Sequence, residues 1–230
     1  MERLDKIIAA CGAASRREVK TLVRQGRVKV DPAVSQILLD GEDIGYQRFT
    51  YIMLHKPDGV LSAVEDKRQK TVLDLLPEEL QKRGLSPVGR LDKDTEGLLL
   101  LTNDGELTHR LLSPKYHVDK VYYARVDGIP DASDCSAFAA GITLSDFTCL
   151  PAQLTLMGEG ECRVTVQEGK FHQVKRMLAS RGKPVTYLKR LSMGPLQLDE
   201  DLLPGQWRLL ENEEVLALQA VCGLGCMTKE

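Results

Sequence analysis

The sequence predicts an α+β protein: a small N-terminal α/β module, then a larger domain built on a mainly antiparallel, mixed sheet. Three observations carry this. Apolar residues in the first thirty positions recur at helical spacing and then switch to alternation. Beyond a polar connection at residues 45–50, short β-branched, aromatic and leucine-rich runs outnumber helical patterns. Finally, Leu98-Leu99-Leu100-Leu101 lies between turn-rich segments, as suits a strand buried on both faces.

In chain order, Leu4, Ile7, Ile8 and Cys11 share one face of a first helix, ended by Gly12-Ala13-Ala14. Ser15-Arg16-Arg17-Glu18 is a capping box, in which the serine accepts from backbone amides and the glutamate reaches back. It opens a second helix with Val19, Leu22 and Val23 inward and Arg17, Lys20 and Arg24 on another face. Gly26 stops that helix, and Arg27-Val28-Lys29-Val30 alternates as a strand. Tyr51-Ile52-Met53-Leu54 is a strand closed by His55-Lys56-Pro57-Asp58-Gly59. A helix from Glu106 to Leu112 and a strand from Lys120 to Val126 follow the leucine run. Further strands are expected near 142–144, 152–156, 161–167, 185–191 and 196–198. A helix is expected over 171–181, with Val174, Met177 and Leu178 on one face and Gly182 as its stop. The tail after about residue 217 has no clear pattern and is expected to be loosely held.

The composition is that of a soluble globular protein: 43% hydrophobic and 28% charged over 230 residues. No apolar run approaches membrane-spanning length, and Met1-Glu2-Arg3-Leu4-Asp5-Lys6 lacks a signal-peptide core, so a cytoplasmic location with no membrane partner is expected. Cys11, Cys135, Cys149, Cys162, Cys222 and Cys226 form no CxxC pair, and His55, His109, His117 and His172 show no ligand spacing. Free thiols, several of them buried, and no metal site are the expectation. The net charge of -2 hides an uneven distribution. Residues 1–30 carry eight Lys or Arg against three acids, residues 170–190 seven against none, and residues 199–230 two against seven acids. Two basic blocks balanced by an acidic tail can form a local anion-binding surface.

Ahead of the leucine run stands a dense polar loop, within Gly89-Arg90-Leu91-Asp92-Lys93-Asp94-Thr95-Glu96-Gly97-Leu98-Leu99-Leu100-Leu101-Thr102-Asn103-Asp104-Gly105. An aspartate beside an arginine at the mouth of a rigid strand suits a carboxylate that stays ionised and acts as a nucleophile. A surface loop with a solvated charge cluster is the plainer reading. The whole string, however, resembles the signature of the pseudouridine synthases, in the branch that modifies ribosomal RNA.

The resemblance implies an isomerase that breaks the bond between a uracil nitrogen and ribose and rejoins the base through carbon, with no cofactor or metal. It implies that Asp92 is the nucleophile; attack on the sugar or on the uracil ring both stay open. Arg90 would shape the loop or help displace the base, a loop salt bridge being the alternative. Tyr122, in Lys120-Val121-Tyr122, matches the family's Lys-x-Tyr motif and would stack on the base or relay a proton. Tyr123 competes, but neighbouring strand residues face opposite ways. Glu168-Gly169-Lys170-Phe171-His172-Gln173-Val174-Lys175-Arg176-Met177 resembles the family's third block, in which Lys175 would pair with the catalytic aspartate. Lys170 and Arg176 would contact RNA phosphate, and His172 would be structural or touch RNA.

At the N-terminus, Ser15-Arg16-Arg17-Glu18 with Leu22-Val23-Arg24-Gln25-Gly26-Arg27-Val28 resembles the small RNA-binding module shared with a small-subunit ribosomal protein, of the S4 kind, over residues 2–44. It implies RNA contacts from Arg16, Arg17, Lys20, Arg24 and Arg27. The module's usual Asn-Gly turn is replaced by Asp31-Pro32-Ala33, which leaves the local hairpin open. The expected organisation is therefore an RNA-binding domain at 1–44, a linker at 45–50 and a pseudouridine synthase domain at 51–230. The His-Gln-Val-Lys-Arg-Met block favours the branch that modifies small-subunit (16S) ribosomal RNA or its assembly intermediate, by a monomer. A large-subunit (23S) enzyme and a non-catalytic ribosome-assembly factor are the alternatives.

Overall fold

The computed structural model describes residues 4–10, 14–31, 36–43 and 49–224, in two compact units, Met1–Phe49 and Thr50–Glu230. Cys11, Gly12-Ala13, Pro32-Ala33, Cys226 and the side chain of Arg16 lie outside the described residues.

In the first unit, helix α1 (Leu4–Ala10) packs beside α2 (Arg16–Arg24), and strands β1 (Val28–Asp31), β2 (Gln36–Leu39) and β3 (Glu42–Asp43) form an antiparallel sheet. The capping box forms: Glu18 N–H donates to Ser15 Oγ (3.4 Å) and Ser15 N–H to Glu18 Oε2 (2.8 Å). Ile7, Ile8, Val19 and Ile37 make the core. One sequence expectation changes here, and one open point is answered. Val23 is 44% exposed rather than inward, because the helix needs only the Val19 side of α2 to cover so small a core. The two strands do pair antiparallel, with Val28 opposite Leu39 and Asp31 opposite Gln36.

The second unit holds a nine-stranded sheet. Its main path runs β12 (Trp207–Leu209), β4 (Tyr51–Lys56), β6 (Glu96–Thr102), β10 (Val185–Met193), β7 (Lys120–Val126), β9 (Glu161–Val166), β8 (Gln153–Gly158). Short β5 (Ser86–Pro87) pairs with β6, and β11 (Leu196–Gln197) with β10. Every pairing is antiparallel except β6 with β10. That parallel contact needs Gly97: its φ is +105°, and a β-carbon there would collide with the Arg190 carbonyl oxygen.

The four leucines of β6 are fully buried and divide by parity. Leu99 and Leu101 enter a core with Tyr122, Val164, Met177 and Leu188, while Leu98 and Leu100 enter one with Leu107, Leu111, Met193 and Leu218. Helices α4 (Gly105–Leu112) and α7 (Asn212–Val221) pack into the second core, while α6 (Gln173–Ser180) packs into the first. Short α3 (Glu78–Gln81) lies at the surface.

Three more expectations are corrected. Residues 142–144 give only an isolated bridge, Thr143 with Thr148. Residues 132–140 form an unforeseen helix, α5 (Ala132–Ala140), begun by an Asp131–Asp134 capping box in place of the commoner Ser/Glu pair. The tail is not loose through residue 224: Leu218 and Cys222 are fully buried, and Arg110 Nη1 donates to the Cys222 (3.0 Å) and Gly223 (3.2 Å) carbonyls. Three acids of the C-terminal stretch also have defined partners. Asp199 and Glu214 grip Arg208 at 2.7–2.8 Å, and Glu211 caps α7. Among the described residues, no helix is long and apolar enough to cross a membrane.

Candidate active site

The signature loop joins β5 to β6, and its backbone is tied down at several points. Thr95 N–H donates to the Asp92 carbonyl (3.0 Å), closing a tight turn. Lys56 ends β4 fully buried, and its Nζ donates to the carbonyls of Pro57 (3.0 Å), Lys93 (3.0 Å) and Thr95 (2.9 Å). Burial pushes the Lys56 ammonium down to about 8, against the attraction of Asp58, Asp94 and Asp92. Ser62 Oγ donates to the Leu91 carbonyl (2.9 Å) and accepts from its N–H (3.1 Å). Gly59 N–H donates to the Lys93 carbonyl (3.0 Å). The segment preceding Asp92 and the segment following it are thus fixed to one rigid strand and its exit turn.

A second element approaches from α6. The loop before it is stapled by two buried side chains: Glu168 Oε1 accepts from Leu150 N–H (2.8 Å) and Gln173 Nε2 (2.8 Å), while Gln173 Oε1 accepts from Lys170 N–H (3.0 Å). His172 caps the helix in the left-handed region, φ +49°. This brings His172 Nε2 to 3.5 Å from Asp92 Oδ1 and Lys175 Nζ to 3.3 Å from Asp92 Oδ2. Lys175 is closer still to Asp94, 2.5 Å from Oδ1, and this hydrogen bond holds the Asp94 carboxyl below the usual range. The expected Lys175–Asp92 pair therefore exists as a shared contact, and His172 is a second basic group on Asp92. Asp92 itself is 27% exposed, so it is a partly solvated carboxylate, not a buried one.

Tyr122 is buried on β7 and lines the same cleft as Asp92, Arg90, His172 and Lys175. Tyr123 is on the opposite face, edge-on to Tyr187 with centroids 6.1 Å apart, its hydroxyl accepting from Arg125 Nε (3.0 Å). Arg90 is exposed and forms no ion pair among the described residues, so the loop salt bridge is not its arrangement here.

The other expected RNA contacts divide into free and engaged groups. Arg17, Lys20 and Arg24 are exposed along α2. Arg27 instead makes a two-point pair with Asp40, Nε to Oδ1 2.7 Å and Nη2 to Oδ2 2.6 Å. Arg176 is held by Asp146 through Nη1 and Nη2 and lies over Phe147, so it is not a free phosphate ligand. Lys170 is exposed, with Nζ 4.1 Å from the Phe147 ring centre. Sequence reasoning missed Lys56, Ser62, Asp94 and the Glu168–Gln173 staple. A lysine closing an apolar strand, as in Ile52-Met53-Leu54-His55-Lys56, was a usable signal; the others depend on contacts distant in sequence.

Comparison with known proteins accords with this geometry. The sequence model of the RNA pseudouridylate synthase family matches residues 50–180, and that of the S4 domain matches residues 2–38. A Bacillus subtilis protein named Uncharacterized RNA pseudouridine synthase YtzG is 45% identical, over 93% of this chain and 96% of its own. Ribosomal small subunit pseudouridine synthase A of Vibrio cholerae is 40% identical over 94% and 99%, and Ribosomal large subunit pseudouridine synthase B of Bacillus subtilis 38% over 98% and 98%. A crystal structure of a pseudouridylate synthase superposes with a TM-score of 0.71 at 33% identity, covering 95% of this chain and all of that one. With a full-length relationship at this level and a family match over more than half its residues, the chain belongs to the RNA pseudouridylate synthase family, as an isomerase acting on RNA that also carries an S4 domain.

Proposed function

We propose that the protein isomerises one uridine of small-subunit ribosomal RNA, with Asp92 as the nucleophile. The observation that carries this is the meeting of Asp92, Tyr122, Lys175 and Arg90 in one cleft, where Asp92 has basic neighbours on two sides at 3.3 Å and 3.5 Å. The Asp92 carboxylate would add to the sugar or the uracil ring, the bond from the ring nitrogen to ribose would break, the base would rejoin through carbon, and the bond to Asp92 would break again to free the carboxylate. A proton leaves that carbon and one is gained at the freed nitrogen, so atoms balance without oxidant or metal. Lys175 would keep the attacking carboxylate charged, Tyr122 would support the base or carry the proton, and Arg90 would shape the loop or help displace the base.

Residues 1–44 would act as the RNA-binding domain, gripping phosphate through Arg17, Lys20 and Arg24, while 51–230 carries the chemistry. Two basic blocks far apart in sequence suit a folded RNA better than a nucleotide. We read the protein as a cytoplasmic monomer. The Gly-Lys-Phe-His-Gln-Val-Lys-Arg-Met block and the small-subunit relatives at 40% identity support the small-subunit target. The large-subunit relative at 38% identity keeps a 23S uridine as the second reading. Mapping pseudouridine in total ribosomal RNA from cells lacking the protein decides between them: a site missing from 16S RNA supports the first, and one missing from 23S RNA replaces it with the second.

A further inference from the structure

Phe171 is the most exposed large hydrophobic side chain among the described residues, at 73%, and its chain neighbours Lys170 and His172 both line the cleft. Its exposure does not come from a loose loop. The residues on either side are bound by the Glu168–Gln173 staple, and Gln173 accepts from the Lys170 N–H at 3.0 Å. The ring is also oriented. Phe171 and His172 stack with centroids 3.8 Å apart and an interplanar angle of 18°. Consecutive side chains on an extended backbone point to opposite sides; here the left-handed backbone at His172 accompanies two consecutive rings lying face to face. A non-glycine residue in that region is uncommon and is found often at working sites.

The His172 imidazole approaches Asp92 with Nε2 at 3.5 Å, and the Phe171 ring is stacked on that same imidazole. A nucleotide whose base reaches Asp92 has left a gap in its own stack. The groups around the cleft include exposed Arg90 and Lys170, which suit backbone phosphates, but a phenyl ring has no use for a phosphate. Its flat apolar face suits a nucleobase. Apolar side chains that enter a base stack offset the loss of stacking caused by opening it.

We propose that Phe171 is a stacking wedge: it fills the place in the RNA stack left by the uridine drawn to Asp92, with the His172 ring as its backing plate. This rests on the reading of the Asp92 cleft as the uridine-isomerising site. Because Phe171 is exposed, its replacement leaves the core intact.

The test compares the full-length wild type with Phe171→Ala, Phe171→Leu and Phe171→Trp. Substrates are transcribed, folded small-subunit ribosomal RNA and total RNA from cells lacking the protein. Single-turnover pseudouridine formation is followed at excess enzyme, with thermal melting of each variant alongside. Phe171→Ala and Phe171→Leu are expected to slow the reaction about tenfold or more, and Phe171→Trp to stay within about twofold, because only a flat aromatic face replaces a base. Melting temperatures should be unchanged. Phe171→Ala at the wild-type rate, or Phe171→Leu as fast as Phe171→Trp, overturns the wedge. Wild-type protein that modifies the large-subunit RNA and not the small-subunit RNA within total RNA overturns the choice of target, while the comparison among the Phe171 variants still decides the wedge.

Discussion

Lys175 donates to Asp94 across 81 residues of sequence, Nζ to Oδ1 2.5 Å, and this places the ammonium between two carboxylates of one loop. Asp92 takes the longer contact, at 3.3 Å. The lysine therefore acts on a partly solvated pair. Lys175→Met should slow pseudouridine formation about 5- to 30-fold, the value of a charged hydrogen bond reduced by solvent screening. Asp94→Asn frees the ammonium for Asp92 and should leave the rate within about threefold. Single-turnover rates on ribosomal RNA check both, and an Asp94→Asn defect as large as that of Lys175→Met would show that Asp94 does more than hold the lysine.

Asp92→Asn should abolish pseudouridine formation while keeping the fold and RNA affinity, because an amide cannot form the adduct. Nucleoside analysis after prolonged incubation with excess protein, beside a binding titration, is the measurement. Turnover near wild type would remove Asp92 from the role.

Ser62→Ala should destabilise the protein by about 1–3 kcal/mol, because it strands both backbone groups of buried Leu91. The rate should fall with it, since Leu91 sets the path of the chain into Asp92. Urea denaturation and single-turnover kinetics on the same preparation test the two effects together.

Neutralising Arg17, Lys20 and Arg24 to glutamine should weaken RNA binding broadly across sequences. The salt dependence of affinity should fall by up to about one unit of slope for each phosphate that α2 no longer neutralises. Binding titrations over a salt series measure this, and weaker binding with an unaltered slope would contradict phosphate binding by α2.

Lys120 is buried, with Nζ 2.9 Å from the Val118 carbonyl, and burial with the nearby Arg190 charge brings its ammonium from 10.5 to about 8. Below about 8 both folded and unfolded chains hold the proton, and the folded protein bears the full cost of the buried charge. Between about 8 and 10.5 the folded protein releases it first, so this residue's contribution to stability rises with pH. Wild type should therefore gain on Lys120→Met as the pH rises through that window, measured by denaturant melts at its two ends. A constant difference between them would show that Lys120 titrates alike in both states.

Features that depend on near neighbours in the chain were legible before any fold was known. The Leu98–Leu101 run specified a strand buried on both faces, Ser15 and Glu18 specified the start of α2, and the Asp92, Tyr122 and Lys175 blocks identified the family and its chemistry. Helix α5 escaped because its alanine-rich stretch has little apolar periodicity, and α7 because its anchors, Leu218 and Cys222, gain their meaning only against α4 and β10. The rest of the site came from the three-dimensional arrangement. The facing of β7 turned Tyr122 rather than Tyr123 into the cleft, Lys56 and Ser62 fastened the loop, Lys175 was divided between Asp92 and Asp94, and Arg176 was engaged by Asp146. The two sets differ in range: strand period and capping act over a few residues, whereas a hydrogen bond or ion pair depends on distance in space. That distance is set here by the close approach of Gly97 to Arg190 and by the packing of α6 on the sheet.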